Sequence, residues 1–348
     1  MNRLLEEDFE NIILDPCVDW KRLSNSVICV TGATGLIGSL LTKFLLYYRK
    51  KENIDITVIA LVRSLTKAEL VFGDEYKNQI IYIEGDINNA ISYDGKIDYI
   101  IHTASITESK KMVRQPVDTL LTGIEGTKNI LNLSKKKAVK GVVYISSMEV
   151  YGITDVNKEK IREEDLGYID NLALRSSYSE GKRVCELLCS SYSAQFGVPV
   201  KIARLAQTFG PGVREDETRV FAQFARSALT KTDIVLHTRG NSYGNYCYTS
   251  DVVKGILCLL TKGENGEAYN IVNENTTMKI KDMANLVAEK IAKNKIKVVI
   301  DIPKDLVALG YAPDVTLHLS SEKIEQLGWK ASFGLEEMYR RMIESWKQ

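Results

Sequence analysis

Tyr178 and Lys182 are the residues of this sequence whose types and spacing most clearly suggest chemistry. They stand four apart in YSEGK, at the start of a segment with a helical pattern, RVCELLCSSYSAQF. Residues four apart lie on one face of a helix. A free phenol titrates near ~10, and an ammonium held beside it favours the phenolate and lowers that value. The pair is therefore a candidate acid–base catalyst, although Y-x-x-x-K is also common as an ordinary surface pair.

A hydroxyl side chain in a second segment, VVYISSMEVYG, strengthens this interpretation. Its apolar part predicts a buried strand that ends at Ser146 and Ser147. At the carboxyl end of a parallel strand, a hydroxyl faces the crevice in which open α/β sheets bind their ligands. We therefore predict that Ser147 hydrogen-bonds a substrate hydroxyl or carbonyl while Tyr178 carries its proton.

Three glycines in VTGATGLIG, namely Gly32, Gly35 and Gly38, indicate where a ligand would lie. The segment before them (26–30) predicts a strand and the segment after them (39–48) predicts a helix. The first N–H groups of such a helix, and the positive end of its dipole, favour an anion. Phosphate binding is the favoured interpretation, and a close-packed turn without a ligand is the alternative.

The elements that must position these residues alternate between strand and helix up to about residue 205. The predicted strands are SVICVT, ITVIALV (56–62), IIYIEG (80–85), IDYIIHTA (97–104), GVVYISS (141–147) and PVKIARL (199–205). Continuously apolar strands separated by helices predict a parallel sheet covered on both faces. The expected fold class is α/β, a Rossmann-type doubly wound parallel sheet with a smaller mixed C-terminal substrate lobe.

The domain division that we predict is a helical extension over residues 1–24, a dinucleotide-binding domain over 25–205 and a substrate-binding lobe over 206–348. Helices are expected at 249–260 and 278–293 of this lobe. A strand at YNIV (269–272) is expected to return to the main sheet.

Composition and charge exclude several classes of protein. The 348 residues carry 46 basic and 45 acidic side chains, a net charge of +1, so nothing predicts a nucleic-acid partner. The N-terminus lacks the pattern of a signal peptide and no apolar run reaches membrane-spanning length, so we expect a cytoplasmic protein without a membrane partner. The six cysteines and three histidines are scattered, which favours buried free thiols and no metal site.

The chain resembles the extended short-chain dehydrogenase/reductase family of nucleotide-sugar epimerases, dehydratases and decarboxylases. The resemblance runs from about residue 27 over nearly the whole chain. It is carried by TGATGLIG, GDI (85–87), IHTAS (101–105), EGTKNIL (125–131), SSMEVYG, YSEGK, ARLAQTFGPG and TSDVV. The part from YSEGK to TFGP is most similar to UDP-glucuronate decarboxylases and dTDP-glucose 4,6-dehydratases. The resemblance implies a bound NAD or NADP, a nucleoside-diphosphate-sugar substrate and a homodimer formed through the helices near YSEGK and GTKNIL.

It also implies roles for individual residues. Tyr178 would take a hydroxyl proton, Lys182 would hold the nicotinamide ribose and tune the tyrosine, and Ser147 would orient the substrate. Asp86 and Ile87 would flank the adenine, and Ala104 would line the nicotinamide pocket. The remaining cofactor contacts would come from Gly32, Thr34, Gly35, Leu36, Ile37, Gly38, Thr103 and Ser105.

Two departures from the family pattern bear on the reaction. Dehydratases carry an Asp-Glu pair after the strand hydroxyl, whereas this chain has Met148 and Glu149. Methionine cannot donate a proton, which disfavours 4,6-dehydration, while Glu149 keeps decarboxylation open. At the end of the second strand, where NAD-preferring relatives carry an acid, Val62 is followed by Arg63, which favours the 2′-phosphate of NADP.

Two further departures concern the substrate. The arginine that grips the substrate diphosphate in relatives is Gly244 here, and Arg239 or Arg219 is expected to replace it. The asparagine of RxFNxFGP is Gln207. We therefore predict Ser147, Met148, Gln207, Arg219 and Arg239 as substrate contacts.

Three functions remain open from the sequence. The leading one is internal redox, in which a nucleotide sugar is oxidised, epimerised or decarboxylated, and reduced again. The second is net reduction of a nucleotide-linked keto sugar or polyol precursor by NADPH. The third is a non-catalytic dinucleotide sensor, which the retained Tyr178 and Lys182 disfavour.

Overall fold

The computed structural model describes residues 2–303 and 316–347. Its strands, in chain order, are β1 (Ser26–Thr31), β2 (Ile56–Val62), β3 (Ile81–Glu84), β4 (Tyr99–His102), β5 (Gly141–Ser147), β6 (Val200–Leu205), β7 (Gln207–Phe209), β8 (Ile234–Leu236), β9 (Tyr243–Tyr248), β10 (Ala268–Ile271), β11 (Asn273–Lys279) and β12 (Val298–Ile300). Its α-helices are α1 (Arg3–Leu14), α2 (Trp20–Leu23), α3 (Leu36–Lys51), α4 (Leu65–Tyr76), α5 (Ser109–Arg114), α6 (Pro116–Lys137), α7 (Ser176–Phe196), α8 (Val220–Thr230), α9 (Thr249–Lys262), α10 (Ile280–Leu286), α11 (Glu322–Glu325) and α12 (Leu335–Trp346).

The main sheet has the strand order β3-β2-β1-β4-β5-β6-β10, and each neighbouring pair is parallel. The order reverses between β1 and β4, which is the point at which doubly wound sheets bind their ligands. The predicted fold class is confirmed, and so is the late strand that returns to this sheet, since β10 pairs with β6.

Helices cover both faces of this sheet because its strands are apolar on both sides. Along β1 the side chains alternate between two cores. Ile28 and Val30 pack with α3 and α9, whereas Cys29 packs with residues of α6 and α7. The α1 helix joins the first core through Phe9 and Ile12.

The second lobe has a core of its own, built around Phe209, Phe221 and Tyr339. Two small sheets contribute to this lobe, one in the order β11-β9-β7 and one formed by β8 and β12. Residues 304–315 of the predicted lobe lie outside the described residues.

Two predicted helix starts differ from the structure. Met278 and Lys279 belong to β11, where they pair with β9, so α10 begins only at Ile280 and continues as a π-helical turn, Val287–Ile291. The first helix after the glycine loop begins at Leu36, three residues earlier than predicted. Gly38 therefore lies inside the first turn of α3 and not in the loop.

Candidate active site

The glycine loop between β1 and α3 is shaped by close contacts that side chains would prevent. Gly32 has φ +62°, and a Cβ built there would lie 2.8 Å from the backbone of Ala104. A Cβ on Gly38 would lie 2.4 Å from the carbonyl oxygen of Gly32. The sixteen-residue helix α3 starts directly after Gly35. This backbone cradle at a helix N-terminus fits the pyrophosphate of a dinucleotide.

A cavity of about 850 Å³ extends from this loop along the carboxyl ends of the strands of the main sheet. The sequence-predicted residues that line it are Gly32, Thr34, Gly35, Leu36, Ile37, Gly38, Arg63, Asp86, Ile87, Thr103, Ala104, Ser105, Ser147, Met148, Glu149, Tyr178, Gln207 and Arg219. Of the predicted site residues within the described ranges, Lys182 and Arg239 do not line it. Lys182 is buried next to Tyr178, and Arg239 is exposed in the loop between β8 and β9.

Tyr178 stands in the first turn of α7 with its ring buried at the cavity wall. Burial raises the pKa of its phenol, and the negative charge of Glu149 raises it further. Interaction with the Ser147 side chain and the charges of Arg175 and Arg219 act in the opposite direction. In this structure burial outweighs these groups, so the lowered phenol pKa expected from the sequence is not observed.

Ser147 ends β5 with its hydroxyl oriented by the following turn. Its Oγ accepts a hydrogen bond from the backbone N–H of Glu149 at 3.2 Å. The hydroxyl proton therefore remains available for donation to another oxygen in the cavity. This arrangement suits a residue that orients a substrate oxygen beside Tyr178.

Lys182 lies one turn further along α7, with its Nζ 5.7 Å from the centroid of the Tyr178 ring. The ammonium donates a hydrogen bond to the carbonyl oxygen of Ile145 at 2.7 Å and lies 4.8 Å from the Tyr144 ring centroid. Burial lowers the pKa of Lys182 to about 8, so the side chain is mostly charged at neutral pH.

A neutral histidine lies behind this group. Thr31 Oγ1 accepts from the N–H of Ala104 at 3.3 Å and shares a hydrogen bond with His102 Nδ1 at 2.7 Å. The other ring nitrogen, Nε2, lies 3.4 Å from Thr127 Oγ1. Burial, and then the charge of Lys182, lower the pKa of His102 to about 3, so the ring carries no charge at neutral pH.

The structure adds a cavity residue that sequence reasoning missed, Arg175. Its guanidinium forms an ion pair with Glu149, with Nη2 2.9 Å from Oε1 and 2.8 Å from Oε2. The available signal was its position three residues before Tyr178, which places both side chains on one helical face.

At the opposite end of the cavity, two cations and a hydroxyl follow β2. Arg63, Ser64 and Lys67 all line the cavity there. Ser64 caps α4 by accepting from the N–H of Lys67 at 3.2 Å. Sequence reasoning identified Arg63 and missed Lys67, which lies in the first turn of α4.

The Tyr246 side chain occupies the space beside Gly244, where the resemblance predicted the loss of an arginine. A Cβ on Gly244 would lie 2.2 Å from the hydroxyl of Tyr246. Arg219, in contrast, lines the cavity at the start of α8, where Glu217 binds its Nη2 at 2.7 Å. Of the two replacements considered, the structure therefore brings Arg219 and not Arg239 to the cavity.

Within the described part of the chain, no group of three or more His, Cys, Asp or Glu side chains could hold a metal ion. Between residues 2 and 303 and between 316 and 347, no helix is both long enough and apolar enough to cross a membrane.

The fold and the site define a class of protein, the enzymes in which a Rossmann sheet presents a tyrosine and a lysine beside a dinucleotide cradle. The model of the NAD-dependent epimerase/dehydratase family matches residues 28–272. UDP-glucuronic acid decarboxylase 6 of Arabidopsis thaliana is 31% identical over 330 residues, which cover 93% of this chain and 90% of that protein. The chain belongs to this family.

Solved structures confirm the fold. UDP-glucose 4-epimerase of Thermotoga maritima, solved with UDP-glucose, has a TM-score of 0.75 and 23% identity, and the match covers 92% of this chain and 98% of that one. The dTDP-glucose 4,6-dehydratase DesIV of Streptomyces venezuelae, solved with NAD bound, also has a TM-score of 0.75, with 21% identity over 92% of this chain and 97% of the other.

Proposed function

We propose that this chain acts on a nucleoside-diphosphate sugar by internal redox, oxidising a sugar hydroxyl, epimerising or decarboxylating the resulting keto sugar, and reducing it again. The observation that carries the proposal is that Tyr178, Ser147 and the glycine cradle open into one cavity. The similarity to UDP-glucuronic acid decarboxylases over 93% of the chain makes UDP-glucuronate the first substrate to test.

The roles of the residues follow from their contacts. The glycine loop and the first turn of α3, from Gly32 to Gly38, would hold the dinucleotide pyrophosphate, and a bound nicotinamide would supply the acceptor and donor of hydride. Ser147 would donate its hydroxyl proton to the substrate oxygen. Tyr178 would take the proton of the sugar hydroxyl and later return it, and the Lys182 charge beside its ring would stabilise the phenolate.

The residue after Ser147 limits the chemistry that can follow oxidation. Met148 lines the cavity where a proton donor would be needed to expel water from the sugar. A thioether cannot donate that proton, which supports epimerisation or decarboxylation over 4,6-dehydration. Glu149 remains as the carboxylate at this end of the cavity.

A second function, net reduction of a nucleotide-linked keto sugar by NADPH, is supported by one observation. Arg63 and Lys67 both line the cavity after β2, where a 2′-phosphate would lie, and Val62 supplies no acceptor for a ribose hydroxyl. The same observation supports NADP as the preferred dinucleotide.

Among the described residues the six cysteines are free and buried, which supports a reducing, cytoplasmic location.

Mass spectrometry of the dinucleotide released on denaturing freshly purified protein separates the two functions. Stoichiometric NAD is expected for internal redox and would contradict the role assigned to Arg63. A protein without bound dinucleotide that binds NADPH far better than NADH would favour the reductase.

We also propose a homodimer formed through α6 and α7. Both helices expose apolar side chains, Val117 and Leu121 on α6 and Val184 and Leu187 on α7. Exposed apolar side chains on two adjacent helices suit a contact with a second copy. Sedimentation of Leu121→Glu and Leu187→Glu variants tests this, because a dimer through this surface would dissociate.

We propose that residues 25–205 form a dinucleotide-binding part and residues 206–348 a substrate-binding part, with residues 1–24 as an extension. The supporting observation is that the second core contains no residue of the main sheet. The extension is tied to the C-terminal helix, since Arg341 donates to Asp8 at 2.9 Å.

A further inference from the structure

Arg175 directly precedes α7 and continues its geometry. Its backbone is helical, with φ −63° and ψ −25°, so Arg175, Tyr178 and Lys182 follow the spacing i, i+3 and i+7 along one face. The centre of its guanidinium lies 5.8 Å from the centroid of the Tyr178 ring. The start of α7 thus presents a fixed positive charge next to the phenol.

The partner of this charge is Glu149, which is held from two sides. Arg175 Nη2 contacts both carboxylate oxygens, and Ser179 Oγ is 3.4 Å from Oε2. The backbone N–H of Glu149 is bound by Ser147. The helix that carries Tyr178 therefore also determines where the Glu149 carboxylate lies in the cavity.

The ion pair of Arg175 and Glu149 differs from ion pairs that stabilise a fold. Its side chains are 38% and 35% exposed, and a pair with such exposure contributes little to stability. Both contacts come from one nitrogen, while Nη1 is enclosed and has no hydrogen-bond partner among the described residues. The chain offers a contrast in Arg204 and Glu186, which are buried and joined through two nitrogens of the guanidinium.

Removal of Arg175 would change the charges that act on Tyr178. The charged and titratable groups facing this phenol are Glu149 after β5, Arg175 and Lys182 on α7, Arg219 at the start of α8, and Tyr144 on β5. Glu149 opposes ionisation of Tyr178, and Arg175 favours it. Without Arg175, the Glu149 charge would be uncompensated beside the phenol.

We propose that Arg175 is a positioning residue, which fixes the Glu149 carboxylate at the substrate end of the cavity and offsets its charge beside Tyr178. The proposal rests on the proposed function, because it requires a sugar in this part of the cavity.

The test compares Arg175→Met, Arg175→Lys, Glu149→Gln and the double variant Arg175→Met/Glu149→Gln. The pH profile of kcat is measured with UDP-glucuronate, and dinucleotide affinity is measured by fluorescence titration. Arg162→Met is the matched control, because it removes an exposed ion pair with Glu322 in the loop before α7.

Arg175→Met is expected to lower kcat at neutral pH at least about tenfold and to move the rise of the rate with pH to higher pH, because the Glu149 charge then disfavours the phenolate. Arg175→Lys restores part of the rate, since it keeps the charge. Glu149→Gln lowers the pH at which kcat rises. In the double variant, the pH at which kcat rises returns toward that of the wild type. Dinucleotide affinity stays unchanged in each variant, and the profile of Arg162→Met matches that of the wild type.

A wild-type protein that turns over UDP-glucuronate, together with an Arg175→Met profile at the wild-type position, would overturn the role of Arg175 alone. A lowered rate of Arg175→Met without a shifted pH profile would assign Arg175 a structural role and would also overturn its positioning role. Equal shifts in the pH profiles of Arg175→Met and Arg162→Met would do the same. A wild-type protein that binds dinucleotide but converts no nucleotide sugar would overturn the proposed function and this inference together.

Discussion

Lys182 donates a hydrogen bond to the backbone carbonyl of Ile145 at 2.7 Å, which anchors its ammonium to the strand that ends in Ser147. The ammonium keeps two further protons for other acceptors. Its distance of 5.7 Å from the Tyr178 ring centroid is therefore set by β5 and α7 together. The charge that acts on the phenol is held by the framework of the sheet.

Replacing Lys182 with Met removes this charge and retains an apolar chain of similar length. We expect kcat to fall by about 10²–10⁴-fold, the usual contribution of positioned acid–base groups, with little change in melting temperature. Lys201→Met is the control, because Lys201 is also buried, its pKa is also lowered by burial to about 8, and its Nζ also lies near a carbonyl, that of Pro199 at 3.3 Å. Equal turnover losses in both variants would show that the effect is structural.

Gly32→Ala tests the dinucleotide cradle. The new Cβ would lie 2.8 Å from the Ala104 backbone and would require a left-handed conformation, so we expect lower stability and a loss of dinucleotide binding in calorimetric titrations. Gly334→Ala, at a position with no heavy atom within 4 Å of the added Cβ, should bind dinucleotide as the wild type does. If Gly32→Ala binds dinucleotide with wild-type affinity, the glycine loop is not part of the dinucleotide site.

Arg63→Ala tests the choice of dinucleotide. If Arg63 holds a 2′-phosphate, the variant loses about 1.5–3 kcal/mol of NADPH binding, roughly ten- to a hundredfold, while NADH binding is unchanged. Lys67→Ala should act in the same direction. An unchanged ratio of NADPH to NADH affinity in both variants would contradict this assignment.

His102 makes stability dependent on pH. Its pKa is about 3 in the folded chain, because burial disfavours the charged ring, and near ~6.5 when unfolded. Between these values only the unfolded chain binds the proton. The contribution of the neutral His102 ring to the free energy of unfolding is therefore complete above pH ~6.5. It is lost as pH falls below this value, at about 1.4 kcal/mol per pH unit.

Urea unfolding of His102→Gln at pH 7 and pH 5 measures this effect. The wild type should lose about 2 kcal/mol more than the variant over this interval. His237→Gln, at an exposed histidine, is the comparison variant. Equal losses in His102→Gln and the wild type would mean that His102 titrates alike in both states.

Much of the framework could be predicted from local sequence. The apolar runs of β1 and β2 are continuous because both faces of the sheet are covered. The three glycines and the four-residue spacing of Tyr178 and Lys182 follow from backbone geometry. These features depend on neighbours along the chain, so a single sequence reveals them.

The remaining parts depend on contacts between distant segments. Arg175 and Glu149 meet only because the loop of residues 152–175 returns to the end of β5. The sequence does not reveal that the Tyr246 hydroxyl lies where a side chain at Gly244 would begin. The sequence does not distinguish Arg219 from Arg239 as a substrate contact, because it is the fold of the second lobe that brings Arg219, and not Arg239, to the cavity.

The most direct measurement uses UDP-glucuronate deuterated at C4 of the sugar, with the protein as purified and no added reductant. The account predicts a converted nucleotide sugar that retains the deuterium at C4, and no conversion by Tyr178→Phe with its dinucleotide binding intact. No conversion of UDP-glucuronate, together with reduction of a nucleotide-linked keto sugar by added NADPH whose hydrogen appears in the product, would contradict internal redox and establish the chain as a reductase.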